Sequence, residues 1–207
     1  MGTKHESAST SHAATREDEF RAGTWTLLGR LLATSPDETV LGLLRQIPGI
    51  EQGRDADALA AAWRELRAGA EQADLELLKR EFHELFIGVG GGELTPYASW
   101  YLTGSLMERP LVVLRQDLQQ LGVERLEGNS EPEDHAAAIC DVMALVISDP
   151  DVSFEWQREI FQKHVEPWMG QFFHDLEHAE NAEFYTAVGR VGVAFVALEQ
   201  DYFSMLA

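Results

Sequence analysis

An acidic segment with one histidine precedes an apolar stretch in "SEPEDHAAAICDVMALVI", which begins at Ser130. Ser130 and Glu133 have the spacing of a helix-capping box, and the helix dipole favours acidic side chains at a helix N-terminus. The sequence therefore predicts that Glu131 and Glu133 cap a helix that starts here. Helix capping alone would account for these two glutamates.

Such a cap does not require Asp134 and His135, which follow in the same segment. These two side chains could belong to a metal site, a catalytic dyad or a docking surface. Because neighbours on a helix project about 100° apart, they cannot easily bind the same metal ion. The local sequence favours a structural cap and leaves a docking surface open.

Motifs for metal binding are weak. His83-Glu84 starts like the zinc motif H-E-x-x-H, but Ile87 stands in place of the second histidine. His174 and His178 have the spacing of one helical turn and acidic neighbours, yet no further ligand is evident. We expect an exposed polar face at this point, and no metal or other cofactor in the protein.

A glycine-rich loop, "GVGGGEL", invites comparison with nucleotide-binding loops. It has no Lys-Ser/Thr ending and no preceding strand, and Glu93 stands where a phosphate would bind. The loop is therefore a weak phosphate cradle and an ordinary hinge. Nucleotide binding is therefore the weaker interpretation of this loop.

The segment after this loop, "TPYASWYLTGSLMERP", is rich in aromatic side chains. Aromatic rings with polar tips beside a glycine-rich loop suit peptide recognition. The same rings could merely cover the end of a helix, and the spacing alone leaves both interpretations open.

The elements that would position these residues are helices. Apolar residues recur at helical spacing along most of the chain, and strand and hairpin signals are nearly absent. Ser35, followed by Pro36, predicts the start of a second helix. With 207 residues, of which 45% are hydrophobic, the chain can form one sizeable core. We predict a single all-α domain of about eight or nine helices over residues 17–207, after a disordered tail over residues 1–16.

Charge and composition exclude several classes of partner. The formal charge of −19 repels nucleic-acid phosphates and anionic lipids and attracts basic partners. The lone Cys140 lies on an apolar helix face and is expected in the core. The polar N-terminal segment has no signal-peptide core, and no apolar run is long enough to span a membrane. We expect a cytoplasmic protein that binds no nucleic acid and does not insert into membranes.

Two motifs together resemble a known family. Y-x-S-x-Y at residues 97–101 and E-P-x-D-H at residues 131–135 are similar to the motifs of the TorD/DmsD/NarJ redox enzyme maturation chaperones, and the likeness extends over residues 17–206. The resemblance implies an all-helical cytoplasmic chaperone without catalytic activity. Such a chaperone binds the twin-arginine signal peptide, and often the body, of the catalytic subunit of a molybdopterin-containing oxidoreductase. It delays export until the cofactor is inserted.

The resemblance also implies a peptide-binding site. We expect Asp134 to pair with an arginine of the peptide and His135 to fix the geometry of the site. The resemblance is compatible with a monomer or a helix-swapped dimer. Two alternatives remain: a nucleotide-binding (GTP) switch or enzyme, which the resemblance allows and the missing P-loop disfavours, and a purely structural helical adaptor. The residues that the resemblance assigns to the site are Phe82, Leu85, Phe86, Pro96, Tyr97, Ser99, Tyr101, Glu131, Pro132, Asp134 and His135.

Overall fold

The computed structural model describes residues 15–47, 57–88, 91–123 and 131–205. Within these ranges the chain forms ten α-helices and no strand, so the predicted all-α fold is confirmed. The count exceeds the predicted eight or nine because the aromatic segment forms a short helix of its own. The helices are Arg16–Ala33 (α1), Glu38–Arg45 (α2), Asp57–Gln72 (α3), Leu75–Phe86 (α4), Ala98–Thr103 (α5), Arg109–Gln120 (α6), Ala136–Ser148 (α7), Phe154–His164 (α8), Met169–Glu177 (α9) and Phe184–Met205 (α10).

The start of α1 is a reciprocal capping box. The Thr15 hydroxyl accepts a hydrogen bond from the Asp18 amide at 3.1 Å, and the Asp18 carboxylate accepts one from the Thr15 amide at 3.1 Å. Thr15 and Arg16 therefore belong to the helical domain rather than to the predicted tail. The rest of that tail, residues 1–14, lies outside the described residues.

The predicted cap of the second helix is wrong by two residues. Asp37, not Ser35, is the N-cap of α2, and its carboxylate accepts a hydrogen bond from the Val40 amide at 2.9 Å. The Ser35 hydroxyl is buried and has no hydrogen-bond partner among the described residues. Asp and Ser serve equally well as N-caps, so sequence spacing alone did not distinguish the two positions.

The core lies between two groups of helices. α1 packs along α7, and α10 packs against α3 and α9. The approach of α10 to α9 requires glycine, because a Cβ at Gly192 would lie 2.1 Å from the Phe173 ring. A Cβ at Gly189 would lie 2.5 Å from the Glu177 amide nitrogen. None of the helices in the described ranges is long and apolar enough to cross a membrane.

A buried ion pair joins the first and last helices. Arg21 on α1 binds Glu199 on α10 through two nitrogens, at 2.6 and 3.0 Å, and the Trp25 indole donates to the same carboxylate at 3.1 Å. Arg21 is 2% exposed and Glu199 is 0% exposed. Because the geometry is bidentate and the Trp25 indole adds a third hydrogen bond to the carboxylate, this pair meets the conditions under which burial of two charges is tolerated.

Candidate functional site

The two sequence motifs meet in the structure. Tyr97 and His135 form an isolated antiparallel bridge. The Ala98 amide donates to the Asp134 carbonyl at 2.9 Å, and the Ala136 amide donates to the Pro96 carbonyl at 2.8 Å. Segments that are far apart in the chain are thus held side by side by their backbones, just before α5 and α7 begin.

A buried side-chain contact strengthens this junction. One carboxylate oxygen of Asp134 accepts hydrogen bonds from the Ser99 amide at 2.9 Å and from the Ser99 hydroxyl at 2.5 Å. Asp134 is 1% exposed and Ser99 is 0% exposed. The carboxylate thereby satisfies an amide in the first turn of α5, which has no partner within its own helix. The arginine contact expected of Asp134 requires an accessible carboxylate, which this arrangement does not offer.

The structure corrects the predicted start of the helix that contains Cys140. α7 begins at Ala136, and its N-cap is His135, whose Nδ1 accepts a hydrogen bond from the Ala137 amide at 3.1 Å. The capping roles predicted for Glu131 and Glu133 are therefore wrong. The cause is a tight turn, in which the His135 amide donates a hydrogen bond to the Pro132 carbonyl at 3.1 Å. Because of this turn, the helix begins only after His135.

The two glutamates bind other groups instead. Glu133 accepts two hydrogen bonds from the Arg115 guanidinium of α6, at 2.7 and 3.0 Å. Glu131 accepts a hydrogen bond from the Tyr97 hydroxyl. Ser130, the other half of the predicted capping box, lies outside the described residues. The segment before α7 is thus tied to α5 and α6 rather than to its own helix.

An open pocket of about 520 Å³ lies beside this junction. Six of the eleven predicted site residues line it: Phe82, Phe86, Pro96, Tyr97, Glu131 and His135. The pocket is also lined by six residues that no sequence motif indicated: Leu32, Ala33, Ile87, Ala137, Ala138 and Asp141.

The other five predicted residues do not line the pocket. Leu85 lies in the core at 0% exposure, and Ser99 and Asp134 form the buried contact described above. Tyr101 is directed toward α9, where its hydroxyl donates to Asp175 at 3.0 Å. Pro132 is half-buried in the turn before α7. These five side chains therefore lie outside the lining of the pocket.

One side of the pocket is apolar. The Phe82 and Phe86 rings lie 5.0 Å apart, and Ile87 next to them is 54% exposed. Single exposed apolar residues are ordinary, but one that extends an aromatic wall offers a surface to an apolar ligand. This side of the pocket can bind an aliphatic or aromatic segment.

The other side of the pocket is acidic. Asp141 has no hydrogen bond or ion pair within the described part of the chain. The residue is exposed overall, but partial desolvation of its carboxylate at the pocket wall raises its pKa against the opposing effect of Arg30. Its carboxylate lies over Gly29 of α1, where a Cβ would be 2.8 Å from the Asp141 oxygen. Glu131 supplies the second carboxylate. A cation bound here would therefore meet two acids.

Two uncharged polar groups complete this side. Burial is the main cause that raises the pKa of Tyr97, and the hydrogen bond to Glu131 raises this pKa further. The hydroxyl of Tyr97 therefore stays protonated. Burial lowers the pKa of His135, and the charges of Glu131 and Asp134 oppose this effect. A neutral imidazole agrees with its role as acceptor at the helix cap. The net charge of the pocket is thus set by its carboxylates.

Helical spacing could have identified Asp141 from the sequence. Asp141 follows Ala138 by three positions and Ala137 by four, so it shares a face of α7 with both. That this face borders the pocket depends on how α1 crosses α7, which the sequence does not state. Ile87 was considered only as the residue that breaks a zinc motif.

The glycine-rich loop packs against its surroundings where it is described. Glu93 accepts hydrogen bonds from the Asn181 amide at 3.0 Å and from its side chain at 2.9 Å. These bonds and that from the Glu180 amide lower the pKa of Glu93, although burial acts in the opposite direction. A Cβ at Gly92 would lie 2.4 Å from the Leu85 carbonyl oxygen. Gly92 thus permits a close turn of the backbone. In this part of the loop the Glu93 carboxylate is already hydrogen-bonded, so the loop does not form a phosphate cradle here. Residues 89–90 lie outside the described ranges.

Comparison with known proteins defines the class to which this helical fold and this junction belong. The fold resembles the solved structure of a candidate redox enzyme maturation protein from Archaeoglobus fulgidus, with a TM-score of 0.58 and 19% identity, over 92% of this chain and 98% of that one. The family model described as nitrate reductase delta subunit matches residues 52–174, more than half of the chain. The chain therefore belongs to that family, the TorD/DmsD/NarJ redox enzyme maturation proteins.

Individual relatives support the assignment. The chain is 27% identical to the chaperone protein TorD of Vibrio parahaemolyticus over 141 residues, which are 63% of this chain and 65% of the relative. It is 29% identical to the chaperone protein TorD of Vibrio vulnificus strain YJ016 over 143 residues, 64% of this chain and 66% of the relative. The matched segment spans just under two thirds of the length of these two relatives.

Proposed function

We propose that the chain is a cytoplasmic, non-catalytic chaperone of redox enzyme maturation. In this proposal it binds the twin-arginine signal peptide and the body of the catalytic subunit of a molybdopterin-containing oxidoreductase. It delays export of that subunit until the cofactor has been inserted. The observation that carries the proposal is the pocket beside the motif junction, which joins an apolar wall to two carboxylates.

The two sides of the pocket match the two parts of such a peptide. A twin-arginine signal has a basic n-region followed by an apolar h-region. Phe86 and Ile87 offer apolar surface to the h-region, and Asp141 and Glu131 offer charge to an arginine. The net charge of −19 attracts the basic end of the peptide from a distance.

We assign the buried members of the two motifs a positioning role. Asp134 and Ser99 hold the start of α5 against the start of α7, and each of these segments contributes residues to the pocket wall. The contribution of Asp134 to peptide binding is then indirect, through the placement of Tyr97 and His135. The same holds for Tyr101, which ties α5 to α9 through Asp175.

Calorimetric titration of the full chain with a signal peptide tests the proposal. The peptide is taken from a molybdoenzyme that is encoded in a neighbouring gene or captured by pull-down. We expect one peptide to bind per pocket, and a scrambled peptide of the same composition to bind at least about tenfold more weakly, a difference of about 1.4 kcal/mol. Equal affinity for both peptides would contradict the proposal and favour the structural adaptor. Saturable GTP binding that changes peptide affinity would favour the nucleotide switch.

A further inference from the structure

Three metal-ligating side chains cluster at the end of α9, away from the peptide pocket. Potential ligand atoms of His174, Glu177 and His178 all lie within 4.8 Å of one another. Both histidines are exposed and the glutamate is half-buried. We propose that these three residues form a binding site for a divalent transition-metal ion, with Zn²⁺ as its natural probe.

The helix itself creates the arrangement. His174 and His178 are one helical turn apart, and their ring centroids lie 4.3 Å apart. Ligands around a tetrahedral zinc ion with Zn–N bonds of about 2.0–2.1 Å lie about 3.3 Å from one another. The ligand atoms, which lie within 4.8 Å of one another, must approach to that spacing when the ion binds, and rotation of the exposed His174 side chain can bring them closer.

One histidine is oriented by a hydrogen bond to the helix backbone. Nδ1 of His178 lies 2.8 Å from the His174 carbonyl oxygen. Because a carbonyl can only accept, this nitrogen carries a proton, so Nε2 is the ring nitrogen that can bind a metal ion. A hydrogen bond from the second ring nitrogen to a carbonyl is the usual way in which proteins orient a metal-binding histidine.

The glutamate is oriented by a second helix. Arg190 on α10 donates to one oxygen of Glu177 at 3.1 Å, and it also binds Glu65 on α3. The second oxygen of Glu177 has no contact with Arg190 among these bonds and can face the two imidazoles. Since Arg190 is shared with Glu65, its charge is partly neutralised near the cluster.

The ligand set indicates the class of ion. Two imidazoles and one carboxylate suit zinc, copper and nickel, whereas calcium and magnesium prefer oxygen ligands alone. The order H-x-x-E-H also occurs in a class of zinc peptidases, where the glutamate serves as general base. Within the described residues no fourth His, Cys, Asp or Glu joins this cluster, so the proposal is metal binding and not hydrolysis.

Zinc titration of the tag-free full chain, in competition with a colorimetric indicator, tests the site. The variants are His174→Ala, His178→Ala and Glu177→Gln, and the control is His83→Ala, an exposed histidine on α4. We expect one Zn²⁺ per chain, an affinity about tenfold or more lower in each histidine variant because one of only three ligands is lost, and no change in the control. Circular dichroism confirms that each variant is folded.

The outcomes are separable. Loss of affinity in both histidine variants and in Glu177→Gln supports the three-ligand site. Unchanged affinity in Glu177→Gln would reduce the site to an ordinary histidine pair and overturn the proposal. Equal losses in His83→Ala and His174→Ala would show nonspecific surface binding, which also overturns it.

Discussion

The Asp134 carboxylate accepts hydrogen bonds from both the amide and the hydroxyl of Ser99, at 2.9 and 2.5 Å, in a position that is closed to solvent. One residue of each motif therefore binds a residue of the other. Their contact gives the two motifs a shared structural role, since it holds the start of α5 against the start of α7.

A double-mutant cycle tests this contact. Asp134→Ala and Ser99→Ala should each lower the free energy of unfolding, because hydrogen bonds to a charged group contribute about 1.5–3 kcal/mol. The double variant should lose less than the sum, with a coupling of about 0.5–3 kcal/mol in urea denaturation. Additive losses would contradict a direct contact between the two side chains.

The buried pair of Arg21 and Glu199 should be costly to break. Glu199→Ala removes the bidentate partner of a buried guanidinium, which keeps only its longer contacts with Asp18 at 3.3 Å and Gln157 at 3.4 Å. We expect it to lower the free energy of unfolding by about 3–5 kcal/mol. The double replacement Arg21→Met with Glu199→Leu should recover part of this loss, because the guanidinium is removed as well and Asp18 keeps its hydrogen bonds from Thr15. Lys79→Ala, which breaks an exposed pair with Glu76, is the control and should cost about 0–1 kcal/mol. Equal costs for the buried and the exposed pair would refute this account.

Two histidines, the buried His164 and the half-buried His135, should make stability depend on pH. Burial lowers the pKa of His135 and of His164, and the Asp117 carboxylate that lies 2.8 Å from His164 opposes the shift. The unfolded chain then binds more protons than the folded one as the pH falls through about 6.5, so the free energy of unfolding decreases in that range.

Chemical denaturation at about pH 7.5 and pH 5.5 measures this effect. His135→Gln and His164→Gln should each reduce the pH slope, by at most about 1.4 kcal/mol per pH unit for each histidine. His83→Gln, at an exposed position, should leave the slope as it is. A slope that none of the variants alters would show that carboxylates alone cause the pH dependence.

Asp141 should contribute to recognition of an arginine. Because Asp141 is exposed, its ion pair with a peptide guanidinium is expected to contribute about 0–1 kcal/mol, which is up to about fivefold in Kd. Asp141→Asn should weaken binding of the twin-arginine peptide in calorimetry, and should have less effect on a peptide whose arginines are replaced by glutamine. Asp201→Asn, an exposed aspartate on α10, is the control. Equal effects on both peptides would remove Asp141 from arginine recognition.

Local sequence patterns predicted the positions of the helices better than they predicted the contacts between helices. The 3.6-residue repeat identified α1, α4, α7 and α10, and motif resemblance selected six residues that line one pocket. Both signals reside in short stretches of chain, where spacing decides which side chains share a face.

Tertiary relationships could not be deduced in this way. The turn over residues 131–134 moved the start of α7 to Ala136, so that Asp134 was directed to Ser99 instead of to a ligand. Asp141 joined the pocket only because Gly29 allows α1 to cross α7 closely. Such placements depend on packing between segments that are distant in sequence, for which a single chain contains no spacing signal.

Signal-peptide affinity of two matched variants at opposite ends of α4 tests the central claim most directly. Ile87 and Leu77 are both 54% exposed, but only Ile87 lines the pocket. Because half-buried apolar contact of one side chain contributes about 1 kcal/mol, Ile87→Gln should raise the Kd of the peptide about fivefold. Leu77→Gln should leave it unchanged, and both variants should keep the wild-type melting temperature. Equal affinity of the two variants for the peptide would contradict the assignment of this pocket as the binding site.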